Sequence, residues 1–332
     1  MEERGKDAEA LWYVGPGKAE IRAEKVAAPA AGEVRLTALY SGISRGTERL
    51  VFNGRVPESE YARMRAPNMG GSFPFPVKYG YATVARIESG PVDLAGRIGF
   101  VLYPHQTAFN LPADAVTLLP ADVPASRGVL GANMETALNA VWDAAPGPAD
   151  RIAVVGGGVV GALCAWLCAK LAGAEVTLVD IEPKRAEIAI ELGVGFSLPF
   201  DAPVDCDVVF HASATQAGLA TALRLAGDEA SIIELSWYGA AEVTVPLGQA
   251  FHSRRLRLIS SQVGQVAPSH RPRWSYRRRL AAALGLLRDD ALEVLVARPI
   301  DFYELPAALP KILAPSGDVL CPLVRYPAVK AT

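Results

Sequence analysis

Residues 153–161 read AVVGGGVVG. Gly156, Gly158 and Gly161 hold the spacing G-x-G-x-x-G, directly after the apolar run RIAVV and at the start of VVGALCAWLCAKLAG, which has the length and composition of a buried helix. That setting separates a phosphate-binding turn from a chance match. Gly156 is expected to make the tight turn, and Gly158 to let the backbone approach a pyrophosphate. Gly161 would allow the helix to pack closely on the strand. Val159 and Val160 would open the helix, whose first N–H groups and positive end favour an anion. Asp180 closes the run EVTLVD, 19 residues past Gly161, where a carboxylate can accept hydrogen bonds from a ribose diol. A carboxylate there repels a 2′-phosphate and favours NAD, while Lys184 and Arg185 nearby keep NADP open. The glycines serving only strand-to-helix packing is the competing reading.

On either side of this stretch the texture differs. Residues 11–126 carry short runs broken by Gly and Pro, among them LWYVG, EVRLTALYSGI, ATVARIES, RIGFVLYP and AVTLLP. Alternating hydrophobicity with frequent turns predicts an all-β, barrel-like module. From residue 127 strand and helix alternate: a helix over SRGVLGANMETALNAVWDA, then the glycine turn, EVTLVD, PKRAEIAIELG, DVVFHAS, QAGLATALRLAG, ASIIELSW and LRLISSQVG. Apolar strands alternating with helices imply a parallel sheet covered on both faces, so the fold class is α/β with a doubly wound sheet. The expected division is 1–126, completed by 267–332, around a dinucleotide-binding domain at 127–266.

The chain has 332 residues, 51% of them hydrophobic, which is enough for two cored domains. Its formal net charge of -2, with both signs interspersed, points away from a polyanionic partner or an anionic membrane surface. Four cysteines without a C-x-x-C pair fit a reducing compartment. Cys164 and Cys168, four apart on one helix face, read as small buried hydrophobes. The polar start MEERGKDAEA does not resemble a signal peptide, and a cytoplasmic protein is expected.

The runs SGISRGTE (41–48), KYGYATVARIESG and ETALNAVWDA, taken with the glycine turn and Asp180, resemble the medium-chain dehydrogenase/reductase superfamily over nearly the whole chain. The resemblance implies a GroES-like β-barrel catalytic domain built from both termini, enclosing a Rossmann domain, with the active site in the cleft and a homodimer formed by edge pairing of Rossmann sheets. Zinc-dependent members carry metal ligands at positions that fall here on Ser44, Tyr81 and at or near Ala132. None is a competent zinc ligand, and residues 89–115 lack the four cysteines of the family's structural zinc. A zinc-free member is therefore expected. The stretch SGISRGTERLVFNGRVP is also similar to bacteriochlorophyllide dehydrogenases, which oxidise a hydroxyethyl group with NAD; the likeness fades around KYGYA.

Without zinc, hydride transfer needs a side chain that gives or takes the hydroxyl proton. Tyr81 is the candidate, against a packed or substrate-lining tyrosine. Its ordinary pKa near 10 would need a cation to lower it. Lys78 is three residues away, but strand alternation puts it on the other face, so the pair requires a turn there. Ser44 would keep a polar contact to substrate, and Glu48 would order its loop or take part in the chemistry. Arg45 would hold a substrate carboxylate or pair with Glu48. Glu135 would face the nicotinamide or cap its helix. His105 is a candidate proton relay, Tyr79 a substrate-lining ring, and His211 and Trp237 candidates for the cofactor pocket, where Tyr238 could also lie.

These residues predict a small alcohol or carbonyl substrate with NAD. Two other readings stay open: an NADPH-dependent enone or quinone reductase, and a non-enzymatic nucleotide-binding protein touching RNA through SHRPRWSYRRRL. Acids follow that run closely, so a solvated helix start is the simpler account.

Overall fold

The computed structural model describes residues 5–314 and 319–327. The contact pattern divides the chain into two compact units: residues 1–132, 280–288 and 296–332 form one, and residues 133–279 and 289–295 the other. Residues 267–279, expected with the C-terminal return, thus cluster with the second unit. So does nearly all of the helix Gly131–Ala144.

The first unit is built from two sheets. One has four strands in the order Lys18–Val26, Lys6–Gly15, Val77–Lys78, Gly70–Gly71. The other has seven, ordered Val296–Asp301, Cys321–Arg325, Glu33–Gly42, Thr83–Ser89, Ile98–Val101, Thr117–Leu118, with Ala108–Pro112 also pairing with Glu33–Gly42. Leu36, Val84, Ile87, Phe100 and Val324 are fully buried between turns, each contributing about 1.5–3 kcal/mol of transfer free energy. The strand Lys18–Val26 was not expected, because KAEIRAEKV is mostly charged. It is an edge strand with no fully buried residue, and such strands carry charge. The single helix expected over 126–144 is two: Ala125–Gly128 and Gly131–Ala144. A Cβ on Gly128 would press on Leu119 and Val84, and one on Gly131 on Leu284 and Phe100, so both glycines let the backbone lie against the core as it turns.

The second unit is a six-stranded parallel sheet. Its elements are β1 (Arg151–Val155), α1 (Val159–Cys168), β2 (Glu175–Val179), α2 (Arg185–Glu191), β3 (Gly195–Ser197), β4 (Cys206–His211), α3 (Gln216–Leu225), β5 (Ala226–Glu234) and β6 (Arg257–Ser260). The strand order β3-β2-β1-β4-β5-β6 reverses direction of growth between β1 and β4. In open α/β sheets that switch point is where a crevice opens beyond the carboxyl ends of the strands. Register fixes which residues reach it: Val155 pairs with Val179 and with His211, and His211 with Glu234. Gly156, Asp180, Ser213 and Trp237 therefore all follow strands that end at one level.

Cys164 and Cys168 are buried free thiols, as their spacing suggested. Burial pushes both upward, Cys168 to about 12, which makes them inert packing groups.

Candidate active site and dinucleotide cradle

In the second unit the glycine turn is built for close approach. Gly156 has φ +110° and donates its N–H to Val179 O at 2.8 Å. A Cβ there would strike the backbone of Ala212 and Ser213 at 2.6–2.8 Å. A Cβ on Gly161 would overlap Gly156 O, so α1 can meet the turn only through glycine. Gly158, the residue before α1, meets nothing within 4 Å and leaves its backbone open. Behind it Val159 and Val160 begin α1, whose first N–H groups point outward from the helix start. Asp180 is tied to this turn: its Oδ2 accepts from Gly157 N at 2.6 Å and its Oδ1 from Glu182 N at 2.8 Å. Arg185 lies beside the same spot, its stem 3.2 Å from a Cβ built on Gly157.

At the neighbouring strand ends His211 is wholly buried. Its Nδ1 lies 2.9 and 2.8 Å from the two carboxylate oxygens of Glu234, and its Nε2 lies 2.7 Å from Ser213 Oγ. Tyr238 donates to Glu234 at 3.1 Å. Both ring nitrogens of His211 are thus hydrogen-bonded by protein side chains. Trp237 Nε1 is buried and has no hydrogen-bond partner among the described residues. An indole N–H so placed is a buried donor without its acceptor. The open Gly158, the helix start, the anchored Asp180 and this orphan donor fit a dinucleotide.

In the first unit the candidates gather around Glu48. Ser44 precedes the helix Arg45–Phe52, and Glu48, one turn in, is completely buried. Its Oε1 accepts from Ser44 N at 2.8 Å; its Oε2 accepts from Tyr13 Oη at 2.7 Å and lies 3.1 Å from His105 Nε2. His105 Nδ1 meets Ser41 Oγ at 2.7 Å, and Ser41 meets Tyr326 Oη at 2.9 Å. Gly80, at φ +120°, admits this histidine, since a Cβ there would touch its ring at 2.9 Å. Glu48 therefore orders the loop, one of the two roles expected. His105 is a buried strut with no exposed surface for substrate.

Tyr81 is half-buried, and its phenol lies close enough to the side chains of Ser44 and Thr47 for both to act on its proton. Burial raises its pKa above 10.0; the nearby Ser44 and Thr47 side chains draw it partly back, and the Glu48 charge adds to the rise. Ser44 and Tyr81, the two positions where the resemblance expects zinc ligands, thus lie near one another. A hydroxyl and a protonated phenol, with the apolar Ala132 third, do not fit Zn²⁺. Among the described residues no three His, Cys, Asp or Glu side chains gather as a metal-binding group.

Four expectations need correction. Lys78 does not reach Tyr81: its Nζ donates to Gln106 Oε1 at 2.7 Å and Glu24 Oε1 at 3.2 Å, on the far side of a chain turned by Gly80. Arg45 holds neither substrate nor Glu48, because its guanidinium donates to the carbonyls of Ile312, Ala314 and Val319 at 2.8–3.0 Å. Tyr79 is buried and its hydroxyl donates to Met64 O at 3.1 Å, so it is core. Glu135 neither caps its helix nor stands free: it pairs with Arg279 at 3.0 Å. Arg279, inside the basic run, is itself buried, and also donates to Asn139 Oδ1 at 2.6 Å and Val263 O at 2.5 Å. Sequence reading missed Arg279 and Glu234, whose partners are remote in the chain or on a neighbouring strand, and Ser213, whose partners His211 and Thr215 are two residues away.

No protein-family model matches the chain. It is 27% identical to the 2-dehydro-3-deoxy-L-galactonate 5-dehydrogenase of Pseudoalteromonas atlantica, over 78% of this chain and 84% of that one. Among solved structures it superposes on L-idonate 5-dehydrogenase of Escherichia coli with a TM-score of 0.78 at 12% identity, covering 97% of this chain and 100% of the other. An Escherichia coli alcohol dehydrogenase complexed with NADH gives a TM-score of 0.76 at 16% identity, covering 96% and 99%. At such identities the superpositions speak to the fold.

Proposed function

We propose that the chain is a medium-chain dehydrogenase/reductase, an NAD(P)-dependent oxidoreductase by type, and within that type a zinc-independent, NAD(H)-preferring carbonyl reductase/alcohol dehydrogenase. The observation that carries this reading is the Ser44–Tyr81 pair standing where metal ligands would otherwise stand. When bound, the nicotinamide supplies or accepts the hydride.

The chain's own residues do the rest. The backbone at Gly158 and the first N–H groups of α1 hold the pyrophosphate. Asp180, kept in place by Gly157 and Glu182, accepts from the ribose diol and disfavours a 2′-phosphate. Trp237 donates its unpartnered indole N–H to the bound nucleotide. Tyr81 gives its phenolic proton to the carbonyl oxygen as negative charge develops, and Ser44 orients that phenol. Burial holds Tyr81 protonated at neutral pH, the form that gives a proton in carbonyl reduction. The relatives' names, which concern sugar acids and alcohols, support a hydroxyl or carbonyl group on a small polar substrate.

The test is fluorescence titration of metal-analysed protein with NADH and NADPH, followed by a screen of ketones and secondary alcohols. Tighter NADH binding, no stoichiometric zinc and ketone turnover are expected. A clear NADPH preference would overturn the Asp180 argument and favour the enone reductase; binding of neither nucleotide would favour a non-enzymatic protein. A homodimer paired through β6, the edge strand of the parallel sheet, belongs to the same proposal and is checked by light scattering. No helix among the described residues is long and apolar enough to cross a membrane.

A further inference from the structure

Glu234, His211 and Ser213 form a chain of hydrogen bonds that hydride transfer does not use. His211 and Glu234 are register partners on adjacent parallel strands, so their side chains leave the same face of the sheet side by side. The Glu234 carboxylate spans Nδ1 with both oxygens, at 2.9 and 2.8 Å, and also accepts from Ser236 N at 2.7 Å and Tyr238 Oη at 3.1 Å. A carboxylate only accepts, so Nδ1 carries a proton, and in the neutral imidazole Nε2 then presents a lone pair. Ser213 Oγ, 2.7 Å away, then donates to Nε2, and Thr215 Oγ1 at 3.0 Å donates to Ser213 Oγ. Every proton in the chain has one consistent position. Hydrogen bonding to His211 and Ser236 holds the Glu234 carboxyl below its ordinary 4.5 against burial, so it stays ionised at neutral pH.

The place matters as much as the chain of bonds. Ser213 is half-buried, at the turn from β4 into α3, and the next residue, Ala214, sits at φ +52°. The turn throws the hydroxyl in front of the start of α3, where the first helical N–H groups can receive a developing negative charge. Gly218, within α3, leaves the space the hydroxyl occupies: a Cβ there would overlap Ser213 Oγ and stand 2.8 Å from His211 Nε2.

A nucleophile bonded to a base, the base oriented by a buried acid, is the arrangement of nucleophilic catalysis whatever the fold around it. We propose that Ser213, His211 and Glu234 form a serine-nucleophile triad that cleaves short, activated carboxylic esters. Ser213 Oγ adds to the ester carbonyl carbon as its proton passes to His211 Nε2. The tetrahedral adduct collapses, the C–O bond to the leaving alkoxide breaks, and His211 returns the proton to that oxygen. Water, deprotonated by His211, then attacks the acyl-serine; the acid leaves and Ser213 recovers its proton. No electrons are exchanged and water is the sole co-reactant. This activity goes beyond the reductase reading and does not depend on it, since it needs no nucleotide.

The experiment uses the full chain without nucleotide. A fluorophosphonate probe is applied, and the adduct is located by peptide mass spectrometry; p-nitrophenyl acetate hydrolysis is followed in parallel. One adduct on Ser213 is expected, with hydrolysis falling about 100-fold in Ser213→Ala, the size of a general-base contribution. Gly218→Ala removes no functional group yet displaces the hydroxyl, and should lose both labelling and hydrolysis while near-ultraviolet circular dichroism remains native. Glu234→Gln should slow hydrolysis and shift its pH profile. Absence of an adduct on Ser213, or hydrolysis unchanged in Ser213→Ala, would overturn the proposal. Full labelling of natively folded Gly218→Ala would overturn it equally.

Discussion

Replacing Arg279 by methionine isolates what the buried pair with Glu135 does. Methionine keeps much of the apolar stem but removes donors to Glu135 at 3.0 Å, Asn139 at 2.6 Å, Gln265 O at 3.2 Å and Val263 O at 2.5 Å. Removing one partner of such a pair costs about 3–5 kcal/mol, because the remaining charge is buried and unpaired. The carboxyl can escape by binding a proton. Burial already raises its pKa above the ordinary 4.5, and the guanidinium is what restrains that rise. Neutralising a carboxyl of that ordinary pKa at pH 7 costs about 3.4 kcal/mol at 1.36 kcal/mol per unit, which bounds the charge contribution. In the variant the folded state holds its proton to higher pH than the unfolded state, so stability falls as pH rises above about 4.5. The deficit at pH 5 should therefore be smaller than at pH 7. Guanidinium unfolding followed by tryptophan fluorescence measures it, since Trp142 and Trp274 lie in the same unit. Glu135→Leu combined with Arg279→Met should recover most of the loss. A deficit below about 1 kcal/mol at pH 7, or a double variant no better than Arg279→Met, would refute the reasoning.

Tyr81→Phe should lower carbonyl reduction about 100-fold with little change in substrate KM, whereas Lys78→Met should leave kcat intact and lower only the melting temperature; equal kinetic losses would mean that Lys78 acts on the chemistry after all. His270 stacks on Trp142 at 4.0 Å, and burial together with Arg273 lowers its pKa below 6.5. Its folded pKa lies below the unfolded one, so stability is complete above about pH 6.5 and declines as pH falls through that value. His270→Phe should flatten this acid limb in melting curves recorded from pH 7.5 to 5, and an unchanged limb would assign it to other groups. Arg45→Ala removes donors to three carbonyls of the C-terminal segment. Limited proteolysis should then cut near residues 312–319 sooner than in the parent chain, and an unaltered cleavage rate would contradict the clamp.

The glycine turn, the strand–helix alternation and Asp180 could be read from the sequence because their causes are local. A φ of +110° at Gly156, or a helix that must pass within contact of a carbonyl at Gly161, admits glycine alone, and apolar periodicity reports which faces are covered. Ser44 and Tyr81 were also legible as the positions where the family resemblance expects metal ligands. What each charged side chain touches was not legible. Arg45 finds carbonyls more than 260 positions away and Arg279 a carboxylate 144 away, and no local pattern encodes such pairings. Lys78 stays apart from Tyr81, on the side that strand alternation gave it, but its partners Gln106 and Glu24, 28 and 54 positions away, could not be read from the sequence. His211 meets Glu234 only because two parallel strands align in one register, and Ser213 reaches that imidazole only because Gly218 leaves room. Sequence determined which backbone shapes were possible; packing at long range decided which polar groups were consumed as structure and which were left for chemistry.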